Sequence, residues 1–344
     1  MLVSRSFVVA GVSLGLLFSV VACDDRSAER SSGRTAEAVD PEAKRRFAFR
    51  YEVEVPAIGA GEGPVDVFVP LPVESAQQRV IEFAVQASLS GQVERDPVYG
   101  NRFFRGRVER SEGEPIAVVV DAMIERRSPG ADEPAPRDDA ESLARFLSAN
   151  ERVVVGHEML EPILEEIRGQ AGSTDKATLA RAIYDWVVDN VEYKKVGTGW
   201  GNGDTFWACN ERYGNCTDFH SLLISLARTE GIPARFEMGF PVPTDAPAGK
   251  VAGYHCWVEV YLEGEGWVPL DASEASKHPE QREAFFGVPR NDRVHMSTGR
   301  DLRLGAEHRD APLNYFVYPY VEVGGARYEG PIERTFSYRE VEAG

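Results

Sequence analysis

The stretch G-N-C-T-D-F-H-S-L-L-I-S-L-A-R-T-E-G-I-P-A-R, residues 214–235, decides the fold. Asn215 is a good N-cap, and Asp218 puts an acid in the first turn, where the helix dipole favours one. Phe219, Leu222, Leu223, Leu226 and Ala227 recur at helical spacing, which predicts an amphipathic helix with one buried face. Gly231 and Pro233 end it. Cys216 therefore sits at the positive end of a helix, an environment that lowers a thiol pKa from about 8.5 towards about 3.5–7.5. A helix-start cysteine alone is more often a packing residue than a reactive one. A base and an orienter further along the chain change that weighting.

Both lie in A-G-Y-H-C-W-V-E-V-Y-L-E-G-E-G-W-V-P-L-D-A-S-E-A, residues 252–275, which reads as a β-hairpin. A three-residue loop Leu262-Glu263-Gly264 sets Tyr261 opposite Glu265 and His255 opposite Asp271, with Cβ atoms about 4.5–5.5 Å apart. A rival loop, Gly264-Glu265-Gly266, keeps the faces but slides His255 about four residues from Asp271's partner, at about 3.4 Å per residue. In both registers Cys256, Val258, Val260, Val268 and Leu270 form an apolar face. His255, Trp257, Glu259, Tyr261, Trp267 and Asp271 form the other, a poor core and a plausible wall for a site. The order Cys, His, Asp suits thiol catalysis. A thiolate attacks a carbonyl, the imidazole carries the proton, and the carboxylate fixes the tautomer.

The segment from Gly214 to Arg235, the strand YHCWVEVYL and the strand GWVPLD resemble the transglutaminase-like superfamily. That resemblance implies an α+β, papain-like fold with helices packed on an antiparallel sheet. It implies Cys216 as nucleophile, His255 as base and Asp271 as third member, within a core of residues 173–275. The predicted helix Thr178 to Tyr193 resembles the one that precedes the cysteine in that family. Its members include protein cross-linkers, amide hydrolases and peptidases, and forms lacking the triad; the three filled positions argue against the last. No D-x-[DN]-x-[DN]-G calcium loop is present. For the oxyanion the backbone N–H of Cys216 is one candidate donor. Trp200, Asn202 and Trp207, in the glycine- and aromatic-rich stretch 197–215, are others.

At the N-terminus Arg5 precedes an apolar run over residues 7–21, of signal-peptide length and short for a membrane span. The run ends V-V-A-Cys23-Asp-Asp, which resembles a bacterial lipoprotein box. The expectation is a signal peptide over residues 1–22, a lipidated Cys23 and a flexible tether to residue 45. An ordinary secretory peptide is the alternative. The Asp after Cys23 resembles an inner-membrane retention signal of some Gram-negative lipoproteins. Setting Cys23 aside leaves Cys209, Cys216 and Cys256, an odd number that suggests a free thiol. An envelope location permits disulfides, so a Cys209–Cys256 pair stays open, although the apolar hairpin face favours Cys256 as a core residue. A zinc site from Cys209, Cys216, His220 and His255 has no CxxC or HExxH to support it. No metal and no cofactor are expected.

The chain has 344 residues and a formal net charge of −17, which speaks against nucleic acid or an anionic membrane face as partner. Residues 46–125 alternate in about five strands and predict an antiparallel, sandwich-like β-domain. Residues 126–172 read as a linker and helical lead-in, and residues 276–344 as a C-terminal extension of the core. There Asp292, His295 and Asp301 are ordinary loop residues or cleft-lining ones.

The expected function is an envelope-anchored thiol enzyme that forms an acyl-enzyme from a peptide or protein amide. Hydrolysis is slightly favoured over transfer to an amine, and the membrane is touched only through the lipid anchor. The competing readings are a non-catalytic scaffold and a carbohydrate- or peptidoglycan-binding lipoprotein, the last requiring an exposed aromatic platform on residues 46–125.

Overall fold

The computed structural model describes residues 44–127 and 138–341. The signal segment, Cys23, the tether and the Pro- and Asp-rich stretch at 128–137 lie outside the described residues.

Six strands form the first part of the chain: β1 (Arg45–Val55), β2 (Val65–Pro70), β3 (Gln78–Ala87), β4 (Gly91–Arg95), β5 (Arg102–Val108) and β6 (Ile116–Arg126). The period of two is plain in β1, where Phe47, Phe49, Tyr51, Val53 and Val55 point inward and the residues between them do not. Strand β2 is buried on both faces: Val65, Val67 and Val69 join the main core, while Phe68 joins a smaller cluster with Phe103, Leu302 and Phe316. The buried Asp66 on that strand is held by Arg105 at 2.7 Å and Arg107 at 2.8 Å.

Helices follow: α1 (Ala140–Arg145), α2 (Glu161–Ala171) and α3 (Lys176–Asn190). A short parallel pair, β7 (Glu192–Tyr193) and β8 (Tyr213–Gly214), flanks α4 (Thr205–Glu211). Then come α5 (Cys216–Thr229), β9 (Ala234–Pro241), β10 (Ala248–Lys250), β11 (His255–Leu262), β12 (Gly266–Leu270) and α6 (Ala272–Lys277). The tail supplies β13 (Arg293–Thr298), β14 (Tyr320–Val323), β15 (Ala326–Arg327) and β16 (Glu333–Glu340). The fold is α+β, with helices packed against an antiparallel sheet of order β12-β11-β9-β13.

Two five-stranded sheets, β10-β16-β1-β6-β3 and β15-β14-β2-β5-β4, account for the remaining long strands. The tail thus departs from its expected place as an extension of the core. Only β13 joins the core sheet, while β14, β15 and β16 complete the two N-terminal sheets. The reason is pairing: β16 covers the edge of β1 over eight residue pairs, which removes an unpaired edge.

Helix α5 departs from expectation too. Every residue from Cys216 to Arg228 is buried, not one face alone. Its polar residues are bonded in the interior. Ser225 meets Thr205 at 2.6 Å, and Arg228 donates to the carbonyls of Ala234 and Ser148. The core sheet and the β-sheets share one apolar cluster. Phe240 of β9 meets Phe336 of β16 at 4.1 Å between ring centres and Phe49 of β1 at 5.7 Å. Among the described residues no helix is long and apolar enough to cross a membrane.

Because Phe240 is fully buried and spans that shared cluster, Phe240→Ala is predicted to cost about 3–5 kcal/mol. Urea unfolding followed by tryptophan fluorescence and by far-UV circular dichroism should show both signals shifting together in one transition. A shift in only one would mean that the two parts unfold independently.

Candidate active site

Cys216 is the first residue of α5, so its backbone N–H is one of the helix-start donors with no intrahelical acceptor. The start is fixed by a reciprocal cap: the Asn215 side chain accepts from Thr217 N at 2.9 Å and the Asp218 carboxylate accepts from Asn215 N at 3.0 Å. Asp218 does more than suit the dipole. Its carboxylate also accepts from Gly201 N at 2.6 Å and Gly203 N at 3.0 Å, so one buried side chain pins the glycine-rich loop to the start of α5. Gly214 has to be a glycine, since a Cβ there would lie 2.3 Å from Asp218 Oδ2.

The hairpin adopts neither register expected for it. Tyr261 pairs with Trp267 and Leu262 with Gly266, leaving Glu263-Gly264-Glu265 as the loop. Gly264 at φ 88° and Gly266 at φ 80° both take the left-handed conformation, which any of the candidate loops could exploit. The expected faces survive, because the shift is two residues and the side-chain period is two. His255 consequently faces past the end of β12 and not directly at residue 271. The two still meet, because Asp271 has left the strand as the N-cap of α6 and turns its carboxylate back. His255 Nε2 lies 2.7 Å from Asp271 Oδ2. That leaves Nδ1 for the hydrogen bond between His255 and the Cys216 thiol. The structure therefore brings all three residues together.

Asp271 is the most heavily bonded group in the cluster. Besides His255 it accepts from Ser273 Oγ and Glu274 N, both at 3.1 Å, and from Arg293 Nη1 at 3.2 Å. Arg293 comes from β13, and its guanidinium also lies over the Trp257 ring. Nothing in the local sequence marks it, because it arrives through the pairing of β13 with β9. His220 stands on the other side of the carboxylate, Nε2 at 3.6 Å from Asp271 Oδ1.

The charges follow from this geometry. Burial would push the His255 imidazole down, but the charge and hydrogen bond of Asp271, aided by Cys216, outweigh it and hold His255 up at about 10. Burial would raise Asp271; the His255 and Arg293 charges hold it far below the carboxylate range. The Cys216 thiol is held well below its ordinary value, first by a hydrogen bond from Cys256, then, against burial, by the hydrogen bond and charge of His255. These directions favour a thiolate–imidazolium pair backed by an ionised carboxylate. It is nearly closed to solvent, with Cys216 3% and His255 6% exposed.

The side-chain oxyanion candidates do not point at this pair. Trp200 Nε1 donates to Gly197 O, Asn202 Nδ2 to Gly199 O and Trp207 Nε1 to Tyr213 O, so each braces its own loop. Beside the start of α5 is a group that the sequence did not single out. The Tyr254 hydroxyl is bonded to Asn215 Nδ2 at 2.9 Å and to Thr217 Oγ1 at 3.1 Å. Asp292 pairs with Arg290 and Arg293, His295 with Glu237 at 2.6 Å, and Asp301 caps the backbone at Glu151. None of these three is bonded to the Cys–His–Asp set. Cys209, Cys216 and Cys256 are free thiols, so the Cys209–Cys256 pair is not formed. Among the described residues no three or more His, Cys, Asp or Glu side chains are arranged to hold a metal ion.

Because Asp271 raises His255, Asp271→Asn is predicted to bring the imidazole down from about 10 by roughly 1–3 units. An NMR titration of the His255 ring checks this; an unchanged midpoint would contradict the assignment of the charge. The folded-state value lies above the ordinary 6.5, so the stability from charged His255 is complete below about pH 6.5 and is lost as the pH climbs through about 10.

Residues 165–272 match the family model described as the transglutaminase-like superfamily. A Haemophilus influenzae protein of no assigned role is 26% identical over 333 residues, covering 85% of this chain and 89% of that one. The Bacillus subtilis protein YebA is 33% identical over 79 residues, which is 20% of this chain and 11% of YebA. A crystal structure from Cytophaga hutchinsonii, provisionally described as a cysteine protease, superimposes with a TM-score of 0.56 at 18% identity, covering 88% of this chain and 93% of that one. At that identity the likeness speaks for the fold. The matched segment, which carries Cys216, His255 and Asp271, is a transglutaminase-like domain.

Proposed function

We propose that this protein is a thiol enzyme that acts on amide bonds through an acyl-enzyme at Cys216, with His255 as acid and base and Asp271 as its anchor. The observation that carries the reading is the single chain of contacts from the Cys216 thiol through His255 to Asp271, with the sulfur held in its anionic form. The Cys216 thiolate attacks the amide carbonyl carbon and an S–C bond forms. The Nδ1 proton of His255 passes to the departing nitrogen as the C–N bond breaks. An acceptor then attacks the thioester, His255 takes its proton, and the C–S bond breaks to restore the thiolate. Asp271 stays ionised throughout and keeps the ring turned to the sulfur. The Cys216 backbone N–H, at the positive end of α5, is the natural donor to the transient oxyanion.

Water is favoured over an amine as the acceptor. Water is abundant, whereas an amine would have to be bound as a second substrate. The likeness to a fold provisionally described as a cysteine protease agrees with this choice. We further propose that the enzyme is anchored in the bacterial cell envelope through Cys23. What supports this is the apolar run at 7–21 closing on V-V-A-Cys23. A non-catalytic scaffold would gain nothing from an ionised, buried Cys–His–Asp set, whose desolvation is costly.

The test is incubation with a glutamine-donor peptide and a labelled amine, following ammonia release, free acid and label incorporation together. The reading predicts ammonia and free acid in excess of labelled product, with Cys216→Ala lowering both by at least about a hundredfold. Label incorporation above hydrolysis would make the protein a transamidase. Full activity in Cys216→Ala would remove the thiol mechanism altogether.

A further inference from the structure

The cluster contains a second cysteine and a second histidine that the amide chemistry does not use, and their arrangement repeats the first. Cys256 Sγ lies 3.4 Å from His220 Nδ1, and His220 Nε2 lies 3.6 Å from Asp271 Oδ1. Each thiol thus faces the Nδ1 of a histidine whose Nε2 faces one oxygen of the same carboxylate. The two thiols are also neighbours: Cys256 bonds to Thr217, the residue next to Cys216, and its thiol helps to hold Cys216 down. A histidine with no exposed surface and no hydrogen-bond partner at Nε2 is a costly residue to keep in a core.

We propose that Cys216 and Cys256 form an oxidative modification site, in which a hydroperoxide oxidises Cys216 and Cys256 resolves the product into a reversible disulfide with His220 as base. The site switches off the acyl-transfer reaction and shields the nucleophile from irreversible oxidation. It does not depend on which amide the enzyme cleaves.

The steps balance. The Cys216 thiolate attacks the terminal peroxide oxygen, the O–O bond breaks, and the departing oxygen takes a proton from the His255 imidazolium. Cys216 becomes a sulfenic acid and the hydroperoxide is reduced to an alcohol, or to water from hydrogen peroxide. The Cys256 sulfur then attacks the sulfenic sulfur while its proton moves to His220 Nδ1. The S–O bond breaks, the leaving hydroxide takes up a proton as water, and the S–S bond forms.

The roles of the two thiols follow from their surroundings. Cys216, 3% exposed and held as thiolate, is the one a small oxidant reaches. Cys256 is fully enclosed, and burial keeps its proton on, so it reacts only through its neighbour. His220 Nδ1 stands 3.4 Å from Cys256 Sγ, and burial keeps the ring uncharged near neutral pH, so Nδ1 can take the thiol proton as the sulfur attacks. Cys209, though 9% exposed, has its thiol raised by burial and so offers the oxidant less thiolate.

The experiment treats the full chain with hydrogen peroxide, quenches with a thiol-alkylating reagent, and maps cysteine states by peptide mass spectrometry without reduction. The expected product is a peptide linked between Cys216 and Cys256, converted back to two free thiols by dithiothreitol. In Cys256→Ser the same exposure should carry Cys216 on to sulfinic and sulfonic acids that dithiothreitol does not reverse. His220→Asn, which keeps the shape but not the base, should slow disulfide formation by at least about tenfold. Accumulation of sulfinic acid at Cys216 in the wild-type chain, with Cys256 still a free thiol, would overturn the proposal. So would a wild-type rate in His220→Asn with respect to its basic role. Because the readout is thiol state and not turnover, a failed amidase assay leaves this result standing, and the reverse holds.

Discussion

One carboxylate organises the site. Asp271 terminates β12, caps α6 and sits between His255, Arg293 and His220, with Ser273 and the Glu274 backbone filling its remaining acceptor sites. A buried anion is tolerable only when it is bonded on every side. The partners come from three places far apart in the chain: α5, the β11–β12–α6 region and β13. The chemistry therefore depends on the sheet order β12-β11-β9-β13 being complete. Arg293 is the clearest case. It is delivered by the last strand of that sheet, and without it the carboxylate would face two imidazoles with only one cation to balance it.

The other end of the reaction is held in the same manner. Asn215 and Asp218 fix the start of α5, and Asp218 gathers Gly201, Gly203 and Asn215 around the cysteine with three backbone hydrogen bonds. From the far side Arg300 takes the carbonyls of Gly203 and Asn202. The glycine-rich loop is thus a clamped wall beside the nucleophile. This explains why its indole and amide groups turn to their own backbone and not to the sulfur.

Much of this was legible in the sequence because it is local. Caps, helical spacing and the Gly231–Pro233 stop define α5, and the alternation of the hairpin tells which side chains share a face, although β11 is buried on both. The register was not legible, since Gly264 and Gly266 satisfy more than one loop equally well; the pairing that occurs is set by packing against β9. The complete burial of α5 was also hidden. Thr217, Ser221, Ser225 and Arg228 look like a solvated face until α3, α4 and the sheet close over them. Non-local pairing hid the rest: β14 and β16 return to the N-terminal sheets, and Arg293 reaches Asp271, by contacts that no window of sequence contains. His220, which entered the sequence reading only through an unsupported zinc set, lies buried beside Cys256 and Asp271.

The account rests on Cys216 being an ionised nucleophile that accepts an acyl group. The most direct measurement is the intact mass and adduct position after brief exposure to p-nitrophenyl acetate and an acid quench. A single acetyl group on Cys216, absent from Cys216→Ala and formed far more slowly in His255→Ala, is the predicted result. Acetylation spread over lysines with none on Cys216, or an equal rate in His255→Ala, would contradict it.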